Sequence, residues 1–166
     1  MQAKGKPLII RFMSDAVKVI AQNKKARFDY FVEETYECGI VLVGTEVKSV
    51  KAGNVSFADS FAEIINGELW MRNFHISEYA YSSVFNHNPD RQKKLLVHKE
   101  ELKRIRRKVE EKGYTLIPLD FFLKHGIVKI TLGICKGKKQ YDKRETIKER
   151  DINRELSREF KKDLIK

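Results

Sequence analysis

The stretch of sequence that decides the fold is residues 114–135, YTLIPLDFFLKHGIVKITLGIC. Two runs rich in β-branched and aromatic residues, 114–123 and 127–135, flank Lys124-His125-Gly126, which has the length and the glycine of a tight hairpin loop. Pro118 cannot donate a ladder hydrogen bond, so it indicates an edge or a β-bulge in the first strand. The sequence therefore predicts an antiparallel hairpin at this point.

A second hairpin is indicated by Asn66-Gly67, which separates apolar runs at 57–65 and 68–74. Asn-Gly is a strong hairpin signal because both central turn positions need a positive φ. Upstream, residues 28–43 are rich in aromatic and β-branched residues and predict a long strand that bends near Gly39. Neither face of this strand is cleanly apolar, which favours a bulge within it.

Two helices are predicted among these strands. Residues 45–52 suit one or two helical turns, because Val47 and Val50 share one face. Lys48 and Lys51 share the opposite face, where they are available to phosphates. The segment 99–112 predicts a longer helix with acids in its first turn and bases in its last. Its narrow apolar stripe comprises Leu102, Ile105 and Val109.

The order of elements is strand, short helix, two strands, helix, two strands. It predicts a mainly β fold, an OB-like antiparallel β-barrel with short flanking helices. A small open α+β sheet is the alternative that the pattern leaves open. We divide the chain into an N-terminal extension at 1–22, an OB-like barrel at 23–135 and a basic C-terminal tail at 136–166. Within the extension, Ser14-Asp15 suits the cap of a short helix in the residues that follow.

The tail has a helical pattern without a broad apolar face. Apolar residues recur every four positions from Ile152 to Leu164, and bases and acids form two further stripes with the same spacing. Each acid of its stripe has a base three residues later, which favours helix by roughly 0.2–0.5 kcal/mol per pair. Because an apolar stripe one residue wide buries little area, we expect the tail to be disordered when free and helical when bound.

The 166-residue chain carries a net charge of +11. The extension, the barrel and the tail carry nets of +3, +3 and +5, and residues 91–112 alone carry +6. This concentration of positive charge indicates a surface that binds an anionic partner, which is either nucleic acid or an anionic membrane surface. A solvated charged helix would account for part of the same charge. No run approaches the ~18 apolar residues of a membrane span. We therefore expect a cytoplasmic monomer that does not contact a membrane.

Motifs for catalysis and metal binding are missing from the sequence. There is no glycine-rich phosphate loop, nucleophile elbow or Cys-x-x-Cys pair, and the four histidines are scattered. Adjacent acids such as Glu100-Glu101 point in different directions and form no shared acid–base site. Cys38 and Cys135 lie in apolar runs and suit small buried thiols. We expect no catalytic residue, metal or cofactor, while an active site assembled from distant residues stays an open alternative.

Three basic segments indicate nucleic-acid binding. The run 91–94 leads into an apolar anchor at 95–97, and residues 103–108 place five cations around a helix. The segment 136–144 places Tyr141 among five cations, the combination of phosphate-binding charge and base-stacking ring that RNA recognition uses. Each segment has an alternative that does not involve binding. The run 91–94 suits a loop that is basic for solubility, 103–108 suits a solvated helix face, and 136–144 suits a charged linker.

Six segments, in the same order, resemble motifs of the SmpB family, basic proteins that are partners of transfer-messenger RNA. The segments are 23–27, 34–39, 44–49, 94–99, 111–115 and 136–144. The match spans about 23–150, and residues 1–22 extend beyond the family's usual short start. Cys38 and Val97 stand where the family commonly has Ala and Leu, and Tyr141 is His in some relatives. A stacking role at that position survives the exchange, whereas a proton-transfer role would not.

The resemblance implies an oligonucleotide-binding barrel without catalytic activity. Such a protein binds the tRNA-like domain of transfer-messenger RNA and delivers it to stalled ribosomes for trans-translation, while its tail enters the decoding centre and the empty mRNA channel. The implied partners are transfer-messenger RNA, the small ribosomal subunit and, through the RNA, elongation factor Tu and alanyl-tRNA synthetase. A small nuclease and a generic single-strand-binding barrel are the alternative functions.

Two sets of residues are the candidate sites. By motif match, the RNA-binding surface includes Asn23, Lys24, Glu37, Leu96 and His98. The cations added to it are Arg27, Lys48, Lys51, Arg91, Lys94 and Lys99. The ribosome-binding tail includes Gly137 and Tyr141 by motif match, to which we add Lys138, Lys139, Asp142, Lys143, Arg144, Lys148 and Arg150. A carboxylate facing phosphate would be repelled, so Glu37 suits an acceptor for ribose or base.

Overall fold

The computed structural model describes residues 17–82, 85–111 and 113–163, and the side chains of 140–141 and 159–163 lie outside the described part. The strands are β1 Lys18–Gln22, β2 Tyr30–Ile40, β3 Val55–Ser56, β4 Phe61–Ile65, β5 Glu68–Arg72, β6 His75–Ile76, β7 Lys93–Leu96, β8 Tyr114–Lys124 and β9 Ile127–Gly137. The helices are α1 Lys24–Asp29, α2 Gly44–Lys51, α3 Lys99–Glu110 and α4 Gln140–Asp163.

The large sheet is antiparallel and closes on itself. Its strand order is β1-β8-β4-β5-β7-β2-β9, and β9 pairs with β8 as well. Six strands therefore form a closed ring, and β1 adds to that ring along β8, while β3 and β6 form a separate two-stranded pair. The β8–β9 pairing removes both free edges of the ring, which is the predicted barrel rather than the open sheet.

The turn and bulge features that the sequence indicated are present. The Asn66-Gly67 turn joins β4 to β5 with φ values of 50° and 74°, the left-handed conformation that this pair adopts readily. The β2–β9 register shifts between Val32 and Glu34, and the β8–β9 register shifts between Pro118 and Asp120. The second bulge lets a residue without an N–H lie inside a fully paired strand.

The core fills the barrel and is sealed by one face each of α2 and α3. The rings of Phe74 and Phe121 stack with centroids 4.7 Å apart, and the Phe57 ring tilts against both. Val50 of α2 and Ile105 of α3 are fully buried, which confirms the predicted apolar faces of the two helices. Both cysteines are free and buried, also as predicted.

Three local predictions are wrong. Residues 18–22 form strand β1 against β8 rather than a helix, so the sheet begins inside the range assigned to the extension. The long strand predicted at 28–43 begins only at Tyr30, because residues 24–29 form helix α1, which the Asn23 side chain caps by accepting from Ala26 N at 3.0 Å. Strand β9 ends at Gly137, two residues beyond the predicted end of the barrel. The predicted cap at Ser14-Asp15 lies outside the described residues.

In the part of the chain that the structure describes, no helix has the length and apolar character needed to cross a membrane. Within the same residues, His, Cys, Asp and Glu side chains do not gather in groups of three or more that could hold a metal ion.

Candidate nucleic-acid interface

A groove on the barrel surface brings together three of the predicted RNA-binding residues. It has a volume of about 370 Å³ and is lined by Glu37, Gly39, Leu96, Val97, His98, Glu101 and Lys129. The sheet register creates this arrangement, because Gly39 of β2 lies opposite Leu96 of β7 on one side and Lys129 of β9 on the other. A Cβ on Gly39 would lie 3.3 Å from the Leu96 Cβ, so the glycine also permits the close approach of the two strands.

Leu96 and His98 both face solvent at the groove. Leu96 is 50% exposed although it belongs to a strand, so its apolar side chain is available to a partner. His98 is exposed at the N-cap position of α3, where its backbone N–H donates to Glu101 Oε2 at 3.2 Å. An apolar side chain beside a ring with two nitrogens suits contact with a ribose or a base rather than with a phosphate alone.

The carboxylate of Glu37 is held between two lysines. Its Oε2 lies 3.1 Å from Lys124 Nζ, and its Oε1 accepts a hydrogen bond from Lys129 Nζ. The Lys129 hydrogen bond, followed by that from Lys124, holds the pKa of Glu37 below its usual range. Each ammonium group has three donors, so both lysines keep donors for phosphate while Glu37 fixes their positions.

Lys124 and Lys129 were missed by the sequence analysis. Glu37 is paired with Thr131 across the β2–β9 ladder, and Lys129 lies two residues before Thr131 on β9. Only the register of β2 against β9 brings the side chains of Glu37 and Lys129 together. Period-2 alternation along β9 is a signal that could have placed Lys129 on an outer face, but the strand that lies beside β9 cannot be read from the sequence.

Asn23 has a structural task in the fold. It is 8% exposed, its Nδ2 donates to Pro118 O at 2.9 Å, and its Oδ1 caps α1. Nearby, Arg27 pairs with Asp120 at 2.6 Å, whereas Lys24 is exposed. No residue of α1 lines the groove. A contact of the Asn23 side chain with RNA is therefore not supported by this geometry, and we expect Asn23 to act through the position of α1.

The cations of the run 91–94 make contacts within the protein that the sequence did not indicate. Arg91 Nη2 lies 2.6 Å from Glu46 Oε2, and the Glu46 side chain is fully buried, so the guanidinium compensates a charge that water cannot reach. Lys93 is fully buried in β7 and donates to Phe74 O at 2.7 Å and Pro89 O at 2.9 Å. Lys94 pairs with Glu68. RNA contacts by Arg91 and Lys94 stay predictions.

The other predicted cations are placed as expected. Lys48 and Lys51 are exposed on α2, and Lys99 is exposed at the start of α3. Further along α3, ion pairs join Lys103 to Glu100, Arg106 to Glu110 and Lys108 to Glu33. Much of the positive charge of α3 is thus matched by neighbouring acids, as in the alternative of a solvated helix face.

The tail leaves the barrel at Gly137, which is exposed and pairs with Tyr30 at the start of β2. Lys138 N donates to Asp29 O at 2.9 Å, and the Asp142 carboxylate accepts from Lys139 N at 3.2 Å at the beginning of α4. The tail is helical over Gln140–Asp163. Its disorder in the free protein stays a prediction, and the Tyr141 side chain lies outside the described residues.

The first turns of α4 contact α1 and the start of β2. Lys143 Nζ lies 2.8 Å from Asp29 Oδ1, the Arg150 guanidinium lies 5.4 Å from the centre of the Phe28 ring, and Lys138 Nζ lies 5.0 Å from that of Phe31. Arg144 and Lys148 are exposed. Beyond these turns, Ile152 and Leu156 are 56% and 46% exposed, so the apolar stripe of the helix is largely unused.

A closed antiparallel barrel with short helices, a surface groove containing lysines and a basic C-terminal helix defines an oligonucleotide-binding β-barrel protein. Residues 20–162 match the family model described as SmpB protein, and the chain belongs to the SmpB family. The resemblance drawn from the six sequence motifs is confirmed.

The chain is similar to SsrA-binding proteins along almost their whole length. It is 66% identical over 145 residues to that of Treponema denticola, covering 87% of this chain and 94% of the relative. It is 61% identical over 140 residues to that of Treponema pallidum (strain Nichols), covering 84% and 91%. It is 54% identical over 144 residues to that of Bacillus cereus (strain ATCC 10987 / NRS 248), covering 87% and 93%.

A solved chain described as "tmRNA-SmpB: a journey to the center of the bacterial ribosome" is similar in fold. It superposes with a TM-score of 0.63 at 46% identity, covering 76% of this chain and 93% of that chain.

Proposed function

We propose that this protein is a non-catalytic adaptor that binds the tRNA-like domain of transfer-messenger RNA and delivers it to stalled ribosomes in the cytoplasm. The observation that carries the proposal is membership of the SmpB family, with 66% identity to a relative described as an SsrA-binding protein. SsrA is transfer-messenger RNA. The description of the similar solved chain names tmRNA, SmpB and the bacterial ribosome together.

The groove lined by Glu37, Leu96 and His98 is the proposed contact for the tRNA-like domain. Lys124 and Lys129 supply positive charge at fixed positions, and Leu96 supplies an exposed apolar surface. Phosphate contacts orient a nucleic acid, while contacts with bases and riboses select a particular structure. A surface that combines both supports selection of a folded RNA over single strands.

The tail is the proposed ribosome-binding part. It carries a net charge of +5, and the contacts that its described side chains make with the body lie at Lys138 and in the first turns of α4. The exposed apolar stripe at Ile152 and Leu156 leaves the helix able to gain contacts elsewhere, which would offset the entropy of ordering it. A decoding centre and an empty mRNA channel offer confined surfaces lined with phosphate. Elongation factor Tu and alanyl-tRNA synthetase would be partners through the RNA.

Capture of RNA from a bacterial lysate, followed by sequencing, tests the proposed function. We expect transfer-messenger RNA to be the enriched species, and gel shifts with its tRNA-like fragment to withstand competition by poly-U. Equal affinity for poly-U and the fragment would indicate a generic single-strand binder. Repurified protein should leave labelled RNA intact in the presence of Mg²⁺, and cleavage lost on mutation would indicate a nuclease instead.

A further inference from the structure

The loop between β6 and β7 carries aromatic side chains that the groove does not use. We call residues 77–92 the aromatic loop, of which 83–84 lie outside the described part. Tyr81 and Phe85 are 85% and 87% exposed, more than any other large hydrophobic side chain among the described residues. The Tyr79 ring meets the Tyr81 ring edge to face, with centroids 5.6 Å apart. Rings of this size, exposed together, are typical of a surface that contacts a partner.

Hydrogen bonds join the described residues on either side of 83–84. The Asn86 side chain accepts from Tyr79 N at 3.2 Å and donates to Tyr79 O at 3.0 Å, as a neighbouring strand would. Ser82 N donates to Tyr79 O at 3.0 Å, and Ser82 Oγ donates to Phe85 O at 2.8 Å. The two most exposed rings therefore extend from a braced backbone.

The base of the loop is anchored to the core and to α2. The buried His87 ring bridges Thr45 Oγ1 at 2.9 Å and Ile76 O at 3.0 Å. Lys93 Nζ donates to Phe74 O, which precedes β6, and to Pro89 O within the loop. These buried polar groups therefore fix the base of the loop to the body of the protein.

Positive charge lies beside the rings. Lys48 Nζ lies 5.2 Å from the centre of the Tyr79 ring, and Lys51 is exposed one turn further along α2. Neither lysine forms an ion pair with another described residue. Of the nearby acids, Asp90 bonds to His75 at 2.9 Å, while Glu78 is exposed. Exposed rings on a loop that also has a lysine beside one of its rings are a combination that suits single-stranded bases, because bases stack on rings and phosphates pair with cations.

The contacts of the aromatic loop indicate which end of β2 it lies near. The tail joins the barrel opposite Tyr30, the groove lies at 37–39, and the chain leaves β2 after Ile40 to form α2. At 3.3 Å per residue, Tyr30 and Ile40 are roughly 30 Å apart. The base of the aromatic loop contacts Val41 and the start of α2, so it lies at the end of β2 that is nearer the groove and away from the start of the tail.

We propose that Tyr81 and Phe85 are a stacking platform for unpaired bases of the same RNA that the groove binds. This inference rests on the proposed function. An unpaired base of a folded RNA would stack on a ring while the adjacent backbone runs toward Lys48 and Lys51. Stacking on rings adds affinity for exposed bases without reading the sequence, since every base has a face that can stack.

Equilibrium binding of the tRNA-like fragment of transfer-messenger RNA to full-length protein tests the platform. Wild type is compared with two double variants, one carrying Tyr81→Ser and Phe85→Ser and the other carrying Tyr81→Phe and Phe85→Tyr. A single variant, Val19→Ser, is the control, because Val19 is a half-exposed apolar residue on β1. The Ser double variant should bind at least about tenfold more weakly, whereas the exchanged pair and the control should match wild type. The slope of log affinity against log salt should stay the same, because no cation is removed.

Crosslinking gives a second readout that a general loss of folding would not mimic. A fragment containing 4-thiouridine should crosslink to the tryptic peptide 73–91 of wild-type protein under ultraviolet light. Melting temperatures should agree among the variants, because neither ring is packed in the core. If wild type binds the fragment and the Ser double variant binds equally well, the platform is refuted while the proposed function stands. If wild type does not bind the fragment, the proposed function itself fails. A change in oligomeric state without a change in RNA affinity would indicate a protein–protein surface and overturn the inference.

Discussion

Lys129 donates a hydrogen bond to the carboxylate of Glu37 across the β2–β9 ladder, in the groove where the exposed side chains of Leu96 and His98 also lie. A negative charge on the proposed RNA-binding surface is thereby compensated within the protein. The consequence is that Glu37 can act by fixing two ammonium groups, in addition to any contact that it makes with ribose.

Glu37→Ala and His98→Ala should each weaken binding of the tRNA-like fragment while the body stays folded. The pairs of Glu37 with Lys124 and Lys129 are 30–40% exposed, and pairs of that kind contribute roughly 0–1 kcal/mol to stability. Gel shifts report the affinity and circular dichroism melts report the stability. Glu63→Ala is the matched control, because Glu63 also pairs with a strand cation, Arg72, but lies outside the groove. A collapsed melt for the groove variants would assign these residues to the fold.

Lys129→Ala should lower RNA affinity and also reduce the salt dependence of binding by about one charge. The physical reason is that each phosphate contact releases counterions, so removal of one contact lowers the slope. Binding measured from low to high salt checks this. An unchanged slope would mean that Lys129 only holds Glu37 and does not touch phosphate.

Lys93 gives the protein a pH-dependent stability above pH 8. Burial lowers the pKa of Lys93 from 10.5 to about 8. Between these two pH values the amine is protonated in the unfolded chain and largely neutral in the native protein, so the unfolded chain binds more protons. Native stability should rise with pH through this window relative to Lys93→Met, which has no group that titrates there. Urea unfolding of both proteins at pH 7.5 and pH 10 measures the difference. A difference that stays constant would contradict a native Lys93 with a lowered pKa.

The two cysteines should be inert in the native protein. Burial raises the pKa of Cys38 to about 12 and that of Cys135 to about 11, and the thiolate is the reactive form. A thiol reagent at pH 8 should label both residues only after unfolding. Rapid labelling of native protein would show that the barrel opens at β2 or β9.

The first turns of α4 should be more protected than its end. Lys143 pairs with Asp29 and Arg150 covers Phe28, whereas residues 151–158 are exposed. Amide hydrogen exchange should therefore be slower at 140–150 than at 151–163, and Asp29→Asn should speed it in the first segment. Asp59→Asn is the control, because Asp59 pairs only loosely with Lys25, at 3.9 Å. Equal exchange along the whole helix would contradict the docking.

Local signals predicted most of the barrel, because both main hairpins are set by residues close in sequence. Asn66-Gly67 fixed one turn, and Pro118 indicated a bulge that is present. Helix α1 was missed because six residues are too few to show a helical period, and its start depends on a single cap, Asn23. The pairing of the run 91–94 within the protein was not predicted, because its partners, Glu46 and Phe74, are remote in sequence. The composition of a segment shows how many charged residues it contains but not which of them form ion pairs within the folded protein.

The central claim is that the barrel binds the RNA while the tail is needed for ribosome rescue. Truncation after Lys139 tests this claim most directly, in a reconstituted rescue assay with a message that lacks a stop codon. Cutting there keeps all of β9 and the bond from Lys138 N to Asp29 O, which a cut after Cys135 would remove. The truncated protein should bind the tRNA-like fragment nearly as well as full-length protein and give no rescue, and Tyr141→Ala should impair rescue more than affinity. Full rescue by the truncated protein would contradict the role of the tail, and a matching loss of RNA affinity would place the tail within the RNA site.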